Sequence, residues 1–302
     1  MSPRSEWPLV AFTLLFPTSV AMYCFSLLLP AALSILRPAA ISLAWALAAV
    51  ALLLTPFHLS RPLRAPLALA HLARSWLSRE IWLATLWAGL ITLHAFEPAA
   101  QWSIVASTAF SLATLAVGLA ALGAGARAHH VPGRPGWRFG RTLLEFAGAG
   151  AGLALIAILG LFSTAVDHGA IEFPGAAAGL RIGALLPALA IGLQWVYAEW
   201  QTRAFASAPQ RLPSHPTPAA ARRAQRVAAG LSGLALATLA GAAAFRPDTL
   251  LFLLALAAQA IAAWFYRRGF FARAFPLDVR GLAWAERRRR MSLAAGLPAA
   301  ED

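Results

Sequence analysis

The sequence predicts an all-α, polytopic integral membrane protein with eight transmembrane helices. Three observations predict it. Of 302 residues, 60% are hydrophobic and only 12% are charged, about half the charge of a soluble domain. Apolar runs of about 20 residues, the length a bilayer core requires, recur along the whole chain. Breakers divide those runs at Arg37-Pro38, Glu97-Pro98, residues 130–137, Phe173-Pro174-Gly175 and Arg246-Pro247. In lipid the backbone polar groups must be satisfied within the segment, so each run is expected to be a helix.

The first run, 8–35, contains Pro17 and is too long for the apolar core of a removable signal peptide. Further spans are expected at 38–57, 81–98, 101–124, 142–164, 176–198, 227–245 and 248–266. The fifth to seventh are rich in Gly and Ala, and Gly148, Gly150 and Gly152 are expected to permit close helix packing. Residues 1–266 thus form an eight-helix domain, and 267–302 a basic C-terminal tail. Cys24 is the lone cysteine, which excludes an internal disulfide and a cysteine-held iron–sulfur cluster.

All 25 basic residues are arginine. With eight spans, 22 of them fall on the face that holds both termini, and only Arg37, Arg181 and Arg246 fall on the other. The net charge of +13 therefore reads as topology and not as nucleic-acid binding. The positive-inside rule makes the arginine-rich face, and both termini, cytoplasmic. The run Arg287–Arg290 in the tail suits anionic lipid headgroups.

The segment from His58 to Ile81 breaks the apolar pattern with two histidines, four arginines and Glu80. Within 60–79 the spacing suggests a short interfacial helix, with Pro62 and Pro66 favouring an irregular start. Glu80 would then open the third span, where a carboxylate suits the helix dipole. Glu145 follows Arg141 by four residues at the start of the fifth span, an arrangement that fits dipole compensation and a local ion pair. His129 and His130 lack neighbouring carboxylates or thiolates, and no metal site is expected there.

Particular residues sharpen this reading. Glu6-Trp7-Pro8-Leu9, His58-Leu59 with Arg61-Pro62 and Arg64-Ala65, and Ser75-Trp76-Leu77-Ser78-Arg79-Glu80-Ile81 together resemble the membrane anchor subunits of the dimethyl sulfoxide reductase family. Residues 132–137, with Arg141-Thr142 and Glu145-Phe146, are similar to that family's fourth connection. Ser60, where the family commonly has glycine, and Ala128-His129-His130, where an aromatic-basic pair is usual, depart from the pattern.

The resemblance implies eight helices and a three-part enzyme of the bacterial cytoplasmic membrane that serves anaerobic respiration. A molybdopterin catalytic subunit exchanges electrons with the quinone pool through a ferredoxin-like iron–sulfur subunit, and the anchor forms the quinol site. The family's quinol-associated histidine and glutamate match His58 and Glu80. Quinol oxidation releases two protons with two electrons. A histidine, with an ordinary pKa of about 6.5, suits one proton, and Glu80 suits the second or its relay. Arg61, Arg64 or Arg79 would stabilise an anionic quinone species. The anchor itself carries no molybdenum chemistry and no covalently bound cofactor. Menaquinol or another quinone is its exchangeable substrate.

No haem is expected. Membrane cytochromes of b type place axial histidines within their helices, whereas His58, His94 and His168 fall at span ends. Two alternatives compete. The arginine split favours the anchor of a cytoplasm-facing complex, such as a sulfite-oxidising enzyme that reduces quinone. A secondary transporter would place ionisable residues mid-span, and the sequence places none there. A reporter fused to the C-terminal tail is expected to be active on the cytoplasmic side; activity outside the membrane would reverse the topology.

Overall fold

In the computed structural model, residues 7–58, 71–100, 105, 107–130, 138–171, 175–206, 217–245 and 247–272 are described. The chain is an all-α bundle: α1 Trp7–Leu28, α2 Arg37–Leu54, α3 Trp76–Ala100, α4 Thr108–Ala128, α5 Phe139–Asp167, α6 Ala176–Gly183, α7 Leu185–Ala206, α8 Thr217–Ala244 and α9 Thr249–Ala272. No strand occurs among the described residues. Seven segments are long and apolar enough to cross a membrane. The eighth span is α3, which is 25 residues long but carries Arg79, Glu80 and Glu97.

Several boundaries differ from the sequence reading for identifiable reasons. The first span ends at Leu28, because Pro30 diverts the chain into a 3-10 turn at Ala31–Leu36. The sixth is divided into α6 and α7. The third starts at Trp76, where the Ser75 hydroxyl accepts the Ser78 N–H at 3.2 Å. The last helix continues through Arg267 to Ala272, so the first arginines of the expected tail are helical. Of the interfacial helix expected within 60–79, residues 60–70 lie outside the described residues, 71–74 form a turn and 76–79 belong to α3.

Two apolar clusters share α5. One gathers α1 to α4, with Trp87, Tyr23 and Ile91 fully buried. The other joins α5 to α6 through α9 around Ile156, Leu239 and Phe252. With lipid outside, helix association rests on close packing and interhelical hydrogen bonds. Ser19 donates to the Ala44 carbonyl at 2.6 Å, joining α1 to α2, and Trp45 Nε1 donates to Thr92 Oγ1 at 3.0 Å, joining α2 to α3.

α3 and α4 run antiparallel in a heptad ladder. Glu80 lies against Gly125, Trp87 against Gly118, and His94 against the ring of Phe110. Small residues thus stand opposite large or polar ones, one pair every two turns. At the last rung His94 Nε2 donates to the Val105 carbonyl at 2.8 Å, and Nδ1 lies 2.9 Å from the Tyr23 hydroxyl, which also reaches the Ser111 carbonyl at 3.3 Å. Two of the three arginines on the sparse face cap carbonyls: Arg37 donates to Ser26 and Arg181 to Phe245, at 3.2 and 2.7 Å.

Of the three glycines expected to mediate packing, only Gly150 does so. A Cβ there would stand 2.6 Å from the Pro17 carbonyl carbon, whereas one at Gly148 or Gly152 meets nothing within 4 Å. Gly150→Ala forces backbone apart and is expected to destabilise by about 1–3 kcal/mol. Gly152→Ala has room and gains up to about 1 kcal/mol of helix propensity. Thermal unfolding in detergent should separate the two; equal midpoints would refute the contact.

Candidate functional site

The topology brings the polar residues of α3, α4, α5 and α9 to the arginine-rich end of the bundle. Their local geometry follows from a few unusual residues. Pro17 carries no N–H, so the Thr13 carbonyl one turn earlier loses its helical donor. Arg267 Nη2 takes that carbonyl at 3.2 Å and also reaches the Glu145 carbonyl at 3.3 Å. Arg267 Nη1 lies 3.9 Å from the Glu145 carboxylate, and the guanidinium stacks over Phe146 at 4.2 Å. With only 3% of its side chain exposed, Arg267 is a buried cation joined to α1 and α5.

The sequence reading counted Arg267 with a solvated tail and gave Glu145 a local role. The continuation of α9 corrects the first and adds a distant partner to the second, so the chain holds a buried ion pair within the bundle. Beside the pair, Glu145, Gln194, Tyr197, Tyr266 and Arg267 line a cavity of about 20 Å³, room for one water molecule. Gln259 Nε2 donates to Gln194 Oε1 at 3.4 Å next to it.

Glu80 occupies the second turn of α3, one turn deeper than expected, and its side chain is 5% exposed. Its carboxylate lies on the backbone of Gly125; a Cβ there would stand 2.5 Å from Oε1. Among the described residues, no cation or donor pairs with it. The Gly125 carbonyl accepts the His129 N–H at 3.2 Å and His129 Nδ1 at 2.8 Å. A carbonyl can only accept, so Nδ1 carries a proton. The His129 ring packs on Phe146, Phe270 and Phe271, which links it to the aromatic platform of Arg267.

Of the expected quinol-site residues, Glu80 and Arg79 have described side chains. Arg79 donates to the carbonyls of Leu72 and Ala73, both at 2.8 Å, and its guanidinium stacks 4.3 Å from Trp76. It thereby fixes the turn before α3. His58 ends the 3-10 turn Thr55–His58, with its side chain outside the described residues, and Arg61 and Arg64 lie outside them entirely. Gly125 and Arg267 were missed. The pairing of Gly118 and Gly125 at heptad spacing was the available signal for the first, and Pro17 for the second.

A bundle of eight apolar helices with ionisable groups gathered at one end is a polytopic membrane subunit. The sequence model of the DMSO reductase anchor subunit family (DmsC) matches residues 1–171. The chain belongs to this family and is thus a membrane anchor subunit of DMSO reductase-type complexes, associated with their other subunits. A search of curated proteins returns no match.

Removing one partner of a buried pair leaves an uncompensated charge and costs about 3–5 kcal/mol. Glu145→Ala is therefore expected to lower the unfolding midpoint sharply, with Arg267→Met restoring much of it in the double variant. Additive losses would show that the two side chains do not act as a pair.

Proposed function

We propose that this anchor exchanges electrons and protons between the quinone pool and a ferredoxin-like iron–sulfur partner, which in turn serves a molybdopterin catalytic subunit. His58 and Glu80 accept the two quinol protons, and Arg61 and Arg64 stabilise the anionic intermediate. Arg79 shapes the turn that leads into the helix bearing Glu80. Menaquinol or another quinol is the substrate, no haem intervenes, and the complex works in anaerobic electron transport in the bacterial inner membrane.

The observation that carries this reading is Glu80 itself. A carboxyl group buried at the arginine-rich end, unpaired among the described residues and set on a glycine, adds nothing evident to stability. Burying an unpaired polar group costs free energy. Such a group is well suited to exchanging a proton with a bound ligand. Family membership supplies the ligand class. The arginine asymmetry supports cytoplasmic termini and keeps a second reading open, an anchor that receives electrons from a cytoplasm-facing, sulfite-oxidising type of complex.

Glu80→Gln and His58→Ala are each expected to lower quinol-dependent turnover of the assembled complex by about 10²-fold or more. Electron transfer from an artificial donor to the catalytic subunit should be unchanged. Gly125→Ala should mimic Glu80→Gln, because its methyl group displaces the carboxylate while the flexible side chain yields at little cost to folding. Full quinol turnover in all three variants would sink the proposal.

A further inference from the structure

At the same end of the bundle, a slot of about 390 Å³ opens between the starts of α3 and α5 and the last two turns of α4. Its walls are Trp76 and Phe139, its floor is Ala120, Gly123 and Ala124, and Arg127 stands at its rim. The floor residues recur at helical spacing and are small, so the slot runs along α4. Arg127 is exposed, with its guanidinium 5.8 Å from the Trp76 ring. Arg79 covers that ring at 4.3 Å. Two cations therefore flank one indole, and among the described residues no carboxylate lines the slot or pairs with Arg127. Glu80 is not one of the lining residues.

These features call for an occupant with an apolar body and an anionic head. A neutral quinone ring would leave the guanidinium uncompensated and would not meet Glu80. We propose that the slot binds an acidic phospholipid, with the headgroup phosphate on Arg127 and an acyl chain over Ala120, Gly123 and Ala124. Trp76 lies where indoles are favoured, at the level of the headgroups, and basic pockets between helices take anionic headgroups on the cytoplasmic side. Because Glu80 does not line the slot, the proposal stands whether or not the quinol reading is correct.

The test is native mass spectrometry of the purified full-length chain with phosphatidylglycerol or phosphatidylcholine. The wild type is expected to retain one phosphatidylglycerol preferentially. Arg127→Gln should lower that retention about tenfold, since one charge-assisted contact is lost, and Arg127→Lys should keep most of it. Gly123→Leu fills the slot without changing charge, and a Cβ there meets nothing within 4 Å, so it tests the site even if Arg127→Gln misfolds. Equal retention of both lipids, or wild-type retention in Gly123→Leu, would overturn the proposal. So would one-for-one displacement of the lipid by a menaquinone analogue, which would make the slot a quinone site.

Discussion

A missing hydrogen organises this bundle. Because Pro17 cannot donate, the Thr13 carbonyl is left open inside the membrane domain, where an unsatisfied carbonyl is costly. Arg267 fills that need from the last helix, and Glu145 on the central helix compensates its charge. Just beyond the proline, Gly150 lets α5 approach the Pro17 carbonyl directly. One backbone defect therefore fixes the relative placement of the first, fifth and eighth spans. The same three helices join the two apolar clusters.

The α3–α4 ladder sets the rest. Its three rungs fall every seven residues along α3 but differ in chemistry: a carboxylate on glycine, an indole on glycine, and a histidine locked between a tyrosine and a carbonyl. The histidine rung is fully hydrogen-bonded, and its role is to fix the sparse end of the bundle. The carboxylate rung has no partner among the described residues. Similar positions on one helix thus differ in how far they are satisfied, according to what faces them.

Much of the fold was legible because lipid simplifies the physics. Run length, breakers and arginine placement each report one constraint, and together they located all eight spans. The boundaries were less legible. Helix ends depend on local groups such as the Ser75 cap and Pro30, which mean hydropathy averages away. Glu80 was singled out by its neighbours in sequence, but its depth depends on where the helix starts. Arg267 was misplaced for a different reason. An arginine at the edge of an apolar run usually begins the solvated tail, and only the partners on α1 and α5 make burial tolerable. Those partners lie 254 and 122 residues away in the chain. The glycines were read by composition, yet what distinguishes Gly150 from Gly148 and Gly152 is the helix it faces.

The family match ends at residue 171, inside the chain but beyond α5. The helices that follow are not an independent unit. α9 returns to α1 and α5 through Arg267, and at the opposite end Thr249 donates to Asp167 at 2.7 Å while Ser163 donates to the Pro247 carbonyl at 3.3 Å. Helix α9 is therefore tied to α5 at both ends of the bundle. The family model thus reads the first half of the bundle. The second half must meet a looser condition, since an apolar helix of many sequences packs equally well in lipid. Its fixed positions are those that complete a hydrogen bond or a charge begun in the first half, and Arg267 is the clearest of them.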